Sequence, residues 1–237
     1  MKLKRIISWI FFPERCSICG EIKPFLKSYC PKCGIDTKVI SKNACEKCGH
    51  EKCMCNDGAY IDLPHFSAVY YYEGQIKRSL HKFKFYSENS YADIFGKAMA
   101  ERIKALYSDI DFDAVCFVPM TAKAELHRGY NQSELLAIEI ARELNIPLVP
   151  YLKKIKTSTQ QKDLSAKERR ENVKGTFAVA SEHDIKNKTI ILCDDIKTTG
   201  STLKECSDTL FKAGAKDVYC ICLALTPYIN YTDIFSE

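Results

Sequence analysis

No apolar run in this 237-residue chain approaches the ~20 residues that a helical membrane span needs, so no span is expected. The chain also lacks the composition of a disordered segment: 46% of its residues are apolar and 27% charged, as in ordinary globular proteins. It lacks a signal-peptide cleavage site as well. Lys2, Lys4 and Arg5 precede an apolar run from Ile6 to Phe12, the order of an export signal, but the run is short and Pro13 and Glu14 follow instead of small residues. The expectation is an amphipathic opening helix packed on the protein, and a cytoplasmic chain. At this length the chain holds one large domain, or a large and a small one.

Charge imbalance is absent from most of the chain. Residues 59–237 hold 24 basic and 24 acidic side chains, whereas residues 1–58 hold 11 and 6, so the whole formal charge of +5 lies near the N-terminus. The cysteines are concentrated there too. Eight of the 13 lie in the first 55 residues: Cys16 and Cys19, Cys30 and Cys33, Cys45 and Cys48, then Cys53 and Cys55. Large apolar residues are too few in this segment to build a core, so a cross-linked framework of loops is expected. Two thiolates two residues apart can hold one tetrahedral ion across a tight turn, and Gly20, Gly34 and Gly49 follow three of the pairs. Eight thiolates suit two structural zinc ions. Disulfides would need an oxidising compartment, and a redox Cys-x-x-Cys is usually single. The last pair has one intervening residue, which leaves open whether it binds or whether His50 replaces a sulfur. Pairing along the chain is the simplest arrangement, with an interleaved one as the alternative. Cys116, Cys193, Cys206, Cys220 and Cys222 are read as small core residues.

Asn56-Asp57-Gly58 marks a turn and a boundary, giving a module over 1–58 and a second domain over 59–237. The second part alternates strand and helix patterns: strands at 67–72, 114–118, 189–193 and 218–225, a short strand after Pro147, and helices at 75–85, 91–107, 132–144 and 201–213. Wholly apolar runs such as Ile190–Cys193 suit strands covered on both faces, as in a mostly parallel α/β sheet flanked by helices. Residues 153–174 are polar and charged without rhythm and read as a long mobile loop.

The most informative stretch runs from Ile190 to Thr202. A buried strand meets Asp194-Asp195, then turns through Thr198-Thr199-Gly200-Ser201-Thr202 into a helix. Backbone N–H groups at such a helix start, with the hydroxyls, form a cradle for phosphate, and the carboxylates can accept hydrogen bonds from sugar hydroxyls. The segment resembles the 13-residue phosphoribosyl pyrophosphate (PRPP) motif of type I phosphoribosyltransferases. Val118-Pro119-Met120, Arg128-Gly129-Tyr130-Asn131-Gln132, Lys84 in "HKFKF", Gln161 with Leu164-Ser165, and the Arg169, Asn172, Gly175, Phe177 run resemble the ComF family of competence-associated phosphoribosyltransferases. The cysteine module resembles that family's N-terminal double zinc ribbon. Cys193 and Lys197 depart from the aliphatic residues common at their positions, Met120 from Leu and Tyr130 from Phe.

The resemblance implies a type I phosphoribosyltransferase fold and a binding plan. Thr198–Thr202 would hold a ribose 5′-phosphate, and Asp194 and Asp195 the ribose hydroxyls. The turn after Pro119 would approach pyrophosphate, with Arg128 and Lys84 as counter-charges and Mg²⁺ accompanying PRPP. Asn131 and Gln132 would join the site, and a loop carrying Gln161, Arg169 and Asn172 would close over it. The implied reaction is transfer of ribose 5-phosphate to an acceptor with release of pyrophosphate. No base-binding signature accompanies these motifs, so a non-catalytic PRPP or nucleotide sensor stands beside the enzyme. A third reading is a competence factor that handles single-stranded DNA through the ribbons or meets proteins of the competence machinery. Plain alternatives accompany single residues: a solvated helix face for Lys84, a helix cap for Asn131. The basic module is weak support for nucleic acid, because eight thiolates and two zinc ions would bring its +5 to about +1.

Overall fold

A computed structural model describes residues 13, 15–16, 18–25, 29–53, 55, 61, 63–85, 90–155, 173–180 and 184–227. The expected opening helix lies outside the described residues, as does most of the 153–174 segment. In chain order the elements are α1 (Pro31–Asp36), β1 (His65–Tyr71), α2 (Gly74–Phe85), α3 (Ser90–Leu106), β2 (Ala114–Phe117), α4 (Ala122–Arg128), α5 (Gln132–Leu144), β3 (Leu152–Lys154), β4 (Phe177–Val179), β5 (Thr189–Lys197), α6 (Ser201–Lys212) and β6 (Asp217–Leu225).

Four strands form a parallel sheet in the order β1-β6-β5-β2. Its strands are apolar on both faces because both faces are covered. One face presents Val69, Val115, Ile191, Cys193 and Ile221 to α2, α3 and α5. The other presents Ala68, Cys116, Ile190, Leu192 and Cys220 to α6. All five cysteines beyond residue 58 are buried in these layers. Past Cys193 the alternation changes phase, with Ile196 packing beside Ile191 and Cys193, while the pairing of β5 with β6 keeps its register. The strand therefore runs through both aspartates to Lys197, four residues further than its apolar run. The stretch after Pro147 is a single parallel bridge, Leu148 to Val115, rather than a strand. Lys153 and Lys154, expected in a loop, stand in β3, which pairs antiparallel with β4. Neither β4 nor α4 shows in the apolar rhythm.

The cysteine-rich segment is built onto this sheet. Val39 bridges Tyr70 antiparallel along the outer edge of β1, with Ile40 N–H donating to Val69 and Tyr71 N–H to Lys38. That edge is thereby closed to other strands. Cys16, Ile18, Cys30 and Cys33 pack in the same layer as Ile76, Leu80 and Tyr91. Arg102 of α3 is buried and clasps the junction: Nε donates to Ser67 Oγ (2.9 Å), and the guanidinium nitrogens donate to the Ile40 carbonyl (2.8 Å) and the Ser41 carbonyl (2.6 Å). Removing a buried donor leaves its acceptors dry and unpaired, beyond the loss of the bonds themselves. Arg102→Ala is expected to lower the unfolding free energy by about 2–4 kcal/mol. Urea titration measures it, and a loss under about 0.5 kcal/mol, the range of ordinary surface changes, would show that the clasp contributes little.

Candidate functional site

The carboxyl ends of β2 and β5 open into a cleft of about 600 Å³, the position where open α/β sheets bind ligands. Its walls bring together Lys84, Pro119, Arg128, Asn131, Gln132, Asp194, Asp195 and Thr202. These come from five separate stretches of the chain. Thr198, Thr199, Gly200 and Ser201 line a smaller adjoining recess that shares Asp194 and Thr202 with the cleft. Gln161, Arg169 and Asn172 lie outside the described residues.

The two aspartates differ in surroundings although they are neighbours. Asp195 is paired with Lys84, Oδ2 to Nζ at 2.7 Å. Lys84 therefore belongs to the cleft and not to a solvated helix face. Asp194 accepts from Ser133 Oγ at 2.7 Å and from the Asp195 N–H at 2.9 Å. Burial, reinforced by the charge of Asp195, pushes the Asp194 carboxyl up to about 7, with the Ser133 and Asp195 hydrogen bonds and Lys84 opposing the shift.

The β2 side is held by α4 and α5. Asn131 caps α5, its Oδ1 accepting from Ser133 N–H, while its Nδ2 donates to the Val118 carbonyl. It is both a cap and a cleft residue, and it fastens the end of β2 to the start of α5. Arg128 closes α4 and donates to Gln132 Oε1 at 2.9 Å. Gln132 Nε2 is buried and has no hydrogen-bond partner among the described residues. Tyr130 donates its hydroxyl to the Phe83 carbonyl, so the departure from phenylalanine ties this turn to α2 one residue before Lys84.

At the phosphate loop, Gly200 has φ of 88° and caps α6 without a side chain. That φ requires glycine, and a Cβ there would also lie 2.9 Å from Lys197 Cε. Thr199 Oγ1 and Ser201 Oγ are 2.8 Å apart across the loop. The first residues of α6, Ser201 and Thr202, line the recess, and the Ser201 N–H donates to Thr199 Oγ1 at 3.4 Å.

Sequence reasoning missed Ser133, Thr121, Lys123 and Lys154, all in the cleft wall. Ser133 directly follows the Asn131-Gln132 motif, which was the available signal. Lys154 stands over the Phe177 ring, 5.4 Å from its centroid, and burial pulls its pKa down.

The cysteines form two sets, Cys16, Cys19, Cys30, Cys33 and Cys45, Cys48, Cys53, Cys55, each with its sulfurs within 4.8 Å of one another. Pairing follows the chain, the irregular last pair is included, and His50 is not a member. A tetrahedron with Zn–S bonds of ~2.3 Å has S···S edges of about 3.8 Å. Cys19 and Cys30 stand 3.6 Å apart, and Cys45 and Cys55 3.7 Å. Burial pushes the Cys16 thiol up, but hydrogen bonds from backbone N–H groups outweigh it and bring it to about 7. Cys45 reaches about 7 in the same way. Both sets fit zinc, with four sulfurs and no position left open for catalysis.

A family model for the phosphoribosyl transferase domain matches residues 131–228, and one for the double zinc ribbon domain matches residues 7–61. Among curated proteins, competence protein F of Haemophilus influenzae is 30% identical over 210 residues, 86% of each chain. Competence protein ComFC of Bacillus subtilis is 28% identical, over 84% of this chain and 78% of its own. DNA utilization protein YhgH of Escherichia coli K12 is 26% identical, over 89% of this chain and 90% of its own. Fold and site thus define a type I phosphoribosyltransferase-like domain carrying an N-terminal double zinc ribbon. Within that class, the likeness over most of both lengths shows that the chain belongs to the competence protein F family, with ComFC and YhgH. Among the described residues no helix is long and apolar enough to cross a membrane.

Metal analysis of purified protein should find about two zinc ions per chain; fewer than one, with the cysteines joined in disulfides, would refute the two four-thiolate sites. The raised Asp194 carboxyl also sets a pH dependence. An unfolded aspartate titrates near about 4, so between pH ~4 and ~7 the folded state holds a proton that the unfolded state has released. This contribution to stability falls as pH rises through that window and levels off above it. Denaturant midpoints of wild type relative to Asp194→Asn should therefore decline from pH 4 to 7. A flat difference would show that Asp194 is ionised throughout.

Proposed function

We propose that the cleft binds PRPP with Mg²⁺ and that the protein transfers ribose 5-phosphate from it to an acceptor, releasing pyrophosphate. The observation that carries this reading is the meeting, at the ends of β2 and β5, of a glycine-turned phosphate loop, an aspartate pair and four cations, Lys84, Lys123, Arg128 and Lys154. The 5′-phosphate would take the loop N–H groups and the Thr198, Thr199, Ser201 and Thr202 hydroxyls. The ribose hydroxyls would donate to Asp194 and Asp195. Pyrophosphate would lie toward Pro119, with Arg128 and Lys84 offsetting its charge, and Gln132 Nε2, without a partner among the described residues, offers one further donor. The carboxylates at the open cleft fit a Mg²⁺ held largely by ligand oxygens and water. When bound, that ion would neutralise charge on the departing pyrophosphate.

The chemistry asked of the chain is positioning and electrostatics. The bond from the anomeric carbon to pyrophosphate breaks with its electron pair leaving on pyrophosphate, and the acceptor nucleophile forms the new bond at that carbon. Paired aspartates stabilise the cationic ribosyl centre that develops between the two events, while Lys84 and Arg128 stabilise the departing anion.

A second reading is a PRPP-responsive binding protein without turnover. It is favoured by the cleft wall, in which no aromatic side chain among the described residues offers a stacking surface for a base. For either reading, the relatives' names support a role in competence or DNA utilization, and we propose a cytoplasmic protein with single-stranded DNA or proteins of the competence machinery as partners.

Calorimetric titration of Mg-PRPP into wild type and Asp195→Asn tests the site. Removing a charged acceptor from two ribose hydroxyls should weaken binding at least about tenfold, or about 1.4 kcal/mol. Equal binding by both proteins, or none by either, would overturn it. Pyrophosphate release screened over nucleobases then separates transferase from sensor.

A further inference from the structure

Lys197 departs from the aliphatic residues common at its position in the PRPP motif, and the structure gives the lysine a place. It is the last residue of β5 and is 1% exposed. Its Nζ donates to the backbone carbonyl of Cys48 at 3.0 Å, and the ammonium lies 4.8 Å from the centre of the Phe66 ring. Cys48 belongs to the second four-cysteine set. The neighbouring Cε of Lys197 packs against Gly200, 2.9 Å from where a Cβ at that residue would fall. One side chain thus spans from a metal knuckle to the floor of the phosphate loop.

The surrounding contacts make this span stiff. The knuckle is closed by Gly49 N–H donating to the Cys45 carbonyl and Cys45 N–H to the His50 carbonyl. Gly49 has φ of 85°, and a Cβ there would fall 2.3 Å from the Phe66 ring, so the knuckle backbone lies flat on β1. The His50 ring sits against the Thr226 carbonyl, and Thr226 N–H donates to the Lys197 carbonyl. Ile61 N–H donates to the Thr199 carbonyl within the loop itself. A zinc ion with four thiolates carries a net charge of −2, which favours a buried ammonium at the backbone of one of its ligands. An aliphatic residue at 197 could fill the space but could not reach the carbonyl.

We propose that Lys197 is a positioning residue that rests the phosphate loop on the second zinc knuckle, so that affinity for the phosphate end of the ligand depends on metal in the Cys45, Cys48, Cys53, Cys55 set. The zinc there is structural, yet its loss acts at the ligand site through one lysine and the glycine above it. The inference rests on the reading of the cleft as a PRPP site.

The test is a double-mutant cycle in the full chain with Lys197→Met and Cys53→Ser. Methionine keeps the stem beneath Gly200 and on Phe66 but removes the donor. Cys53 is the exposed member of its set, and its change removes one ligand. Lys197→Met should retain about two zinc ions and Cys53→Ser about one, by metal analysis. Each should bind Mg-PRPP about tenfold more weakly than wild type, and the double variant no more weakly than either alone, because both break the same strut. Amide hydrogen exchange supplies a readout without ligand: residues 199–202 should exchange faster in both single variants. Wild-type affinity in Lys197→Met, losses that add in the double variant, or unchanged exchange at 199–202 would each overturn the inference. If wild type itself binds no PRPP, the cleft reading fails, and the exchange data alone decide whether the knuckle holds the loop.

Discussion

The site depends on how a doubly buried strand is allowed to end. β5 is covered on both faces from Thr189 to Cys193 and can hold only apolar or small residues there. Past Cys193 the strand is only partly covered, and Asp194 and Asp195 follow at once. Adjacent carboxylates on a strand repel, and each must find a different stabiliser. Asp195 takes the Lys84 ammonium, and Asp194 takes the Ser133 hydroxyl and a backbone N–H. Satisfying them fixes α2 on one side and the start of α5 on the other, and the turn that α5 follows carries Arg128, Asn131 and Gln132. Demand for partners at one strand end therefore assembles residues that are more than a hundred positions apart.

A second constraint is that, among the described residues, the buried apolar side chains of the cysteine-rich segment belong to the layers of the α/β part. Ile18 shares one layer with Ile76 and Leu80, and Ile40 shares the other with Phe66. The polar counterpart is two buried cations that reach out of the sheet domain to carbonyls in that segment. Arg102 holds the stretch between the two four-cysteine sets, and Lys197 holds the second knuckle. Carbonyls fixed by metal ligation are acceptors with little freedom to move away, which suits a buried donor that must not be left unpaired.

Much of this was legible in the sequence, and the gaps have physical reasons. Apolar rhythm located every strand of the sheet and the four long helices, because two-sided burial leaves an uninterrupted signal. It stopped β5 at Cys193, since charged residues end the apolar run and not the hydrogen bonding. It missed α4, a helix of seven residues with an exposed Leu126 and no apolar face to bury. Spacing identified eight metal-binding thiols but could not say which four share an ion, because pairing is decided by how the turns fold back on each other. For Lys84 the sequence offered two readings, a counter-charge implied by the resemblance and a solvated helix face, and its approach to Asp195 is a property of the packing of α2 against the sheet end. Ser133 and Lys154 carry no motif of their own, and only the cleft reveals them.

The distribution of charge has a different meaning from the one the sequence first presents. The surplus of basic residues lies in residues 1–58, where eight thiolates holding two zinc ions would largely cancel it. Residues 59–237 are neutral in sum, yet the cleft wall sets four cations against two carboxylates, and one of those carboxyls is shifted to about 7. Local excess positive charge in a concave site of low polarisability acts on a ligand far more strongly than the same charge spread over lysines in water. On the proposed reading, a ligand with several phosphates would meet that excess at its pyrophosphate end and the hydrogen-bonding loop at its other end, with its sugar hydroxyls toward Asp194 and Asp195. That difference in polarity along the cleft would set the direction in which such a ligand lies, and on the same reading the second zinc knuckle would enter through Lys197 and the backbone it braces.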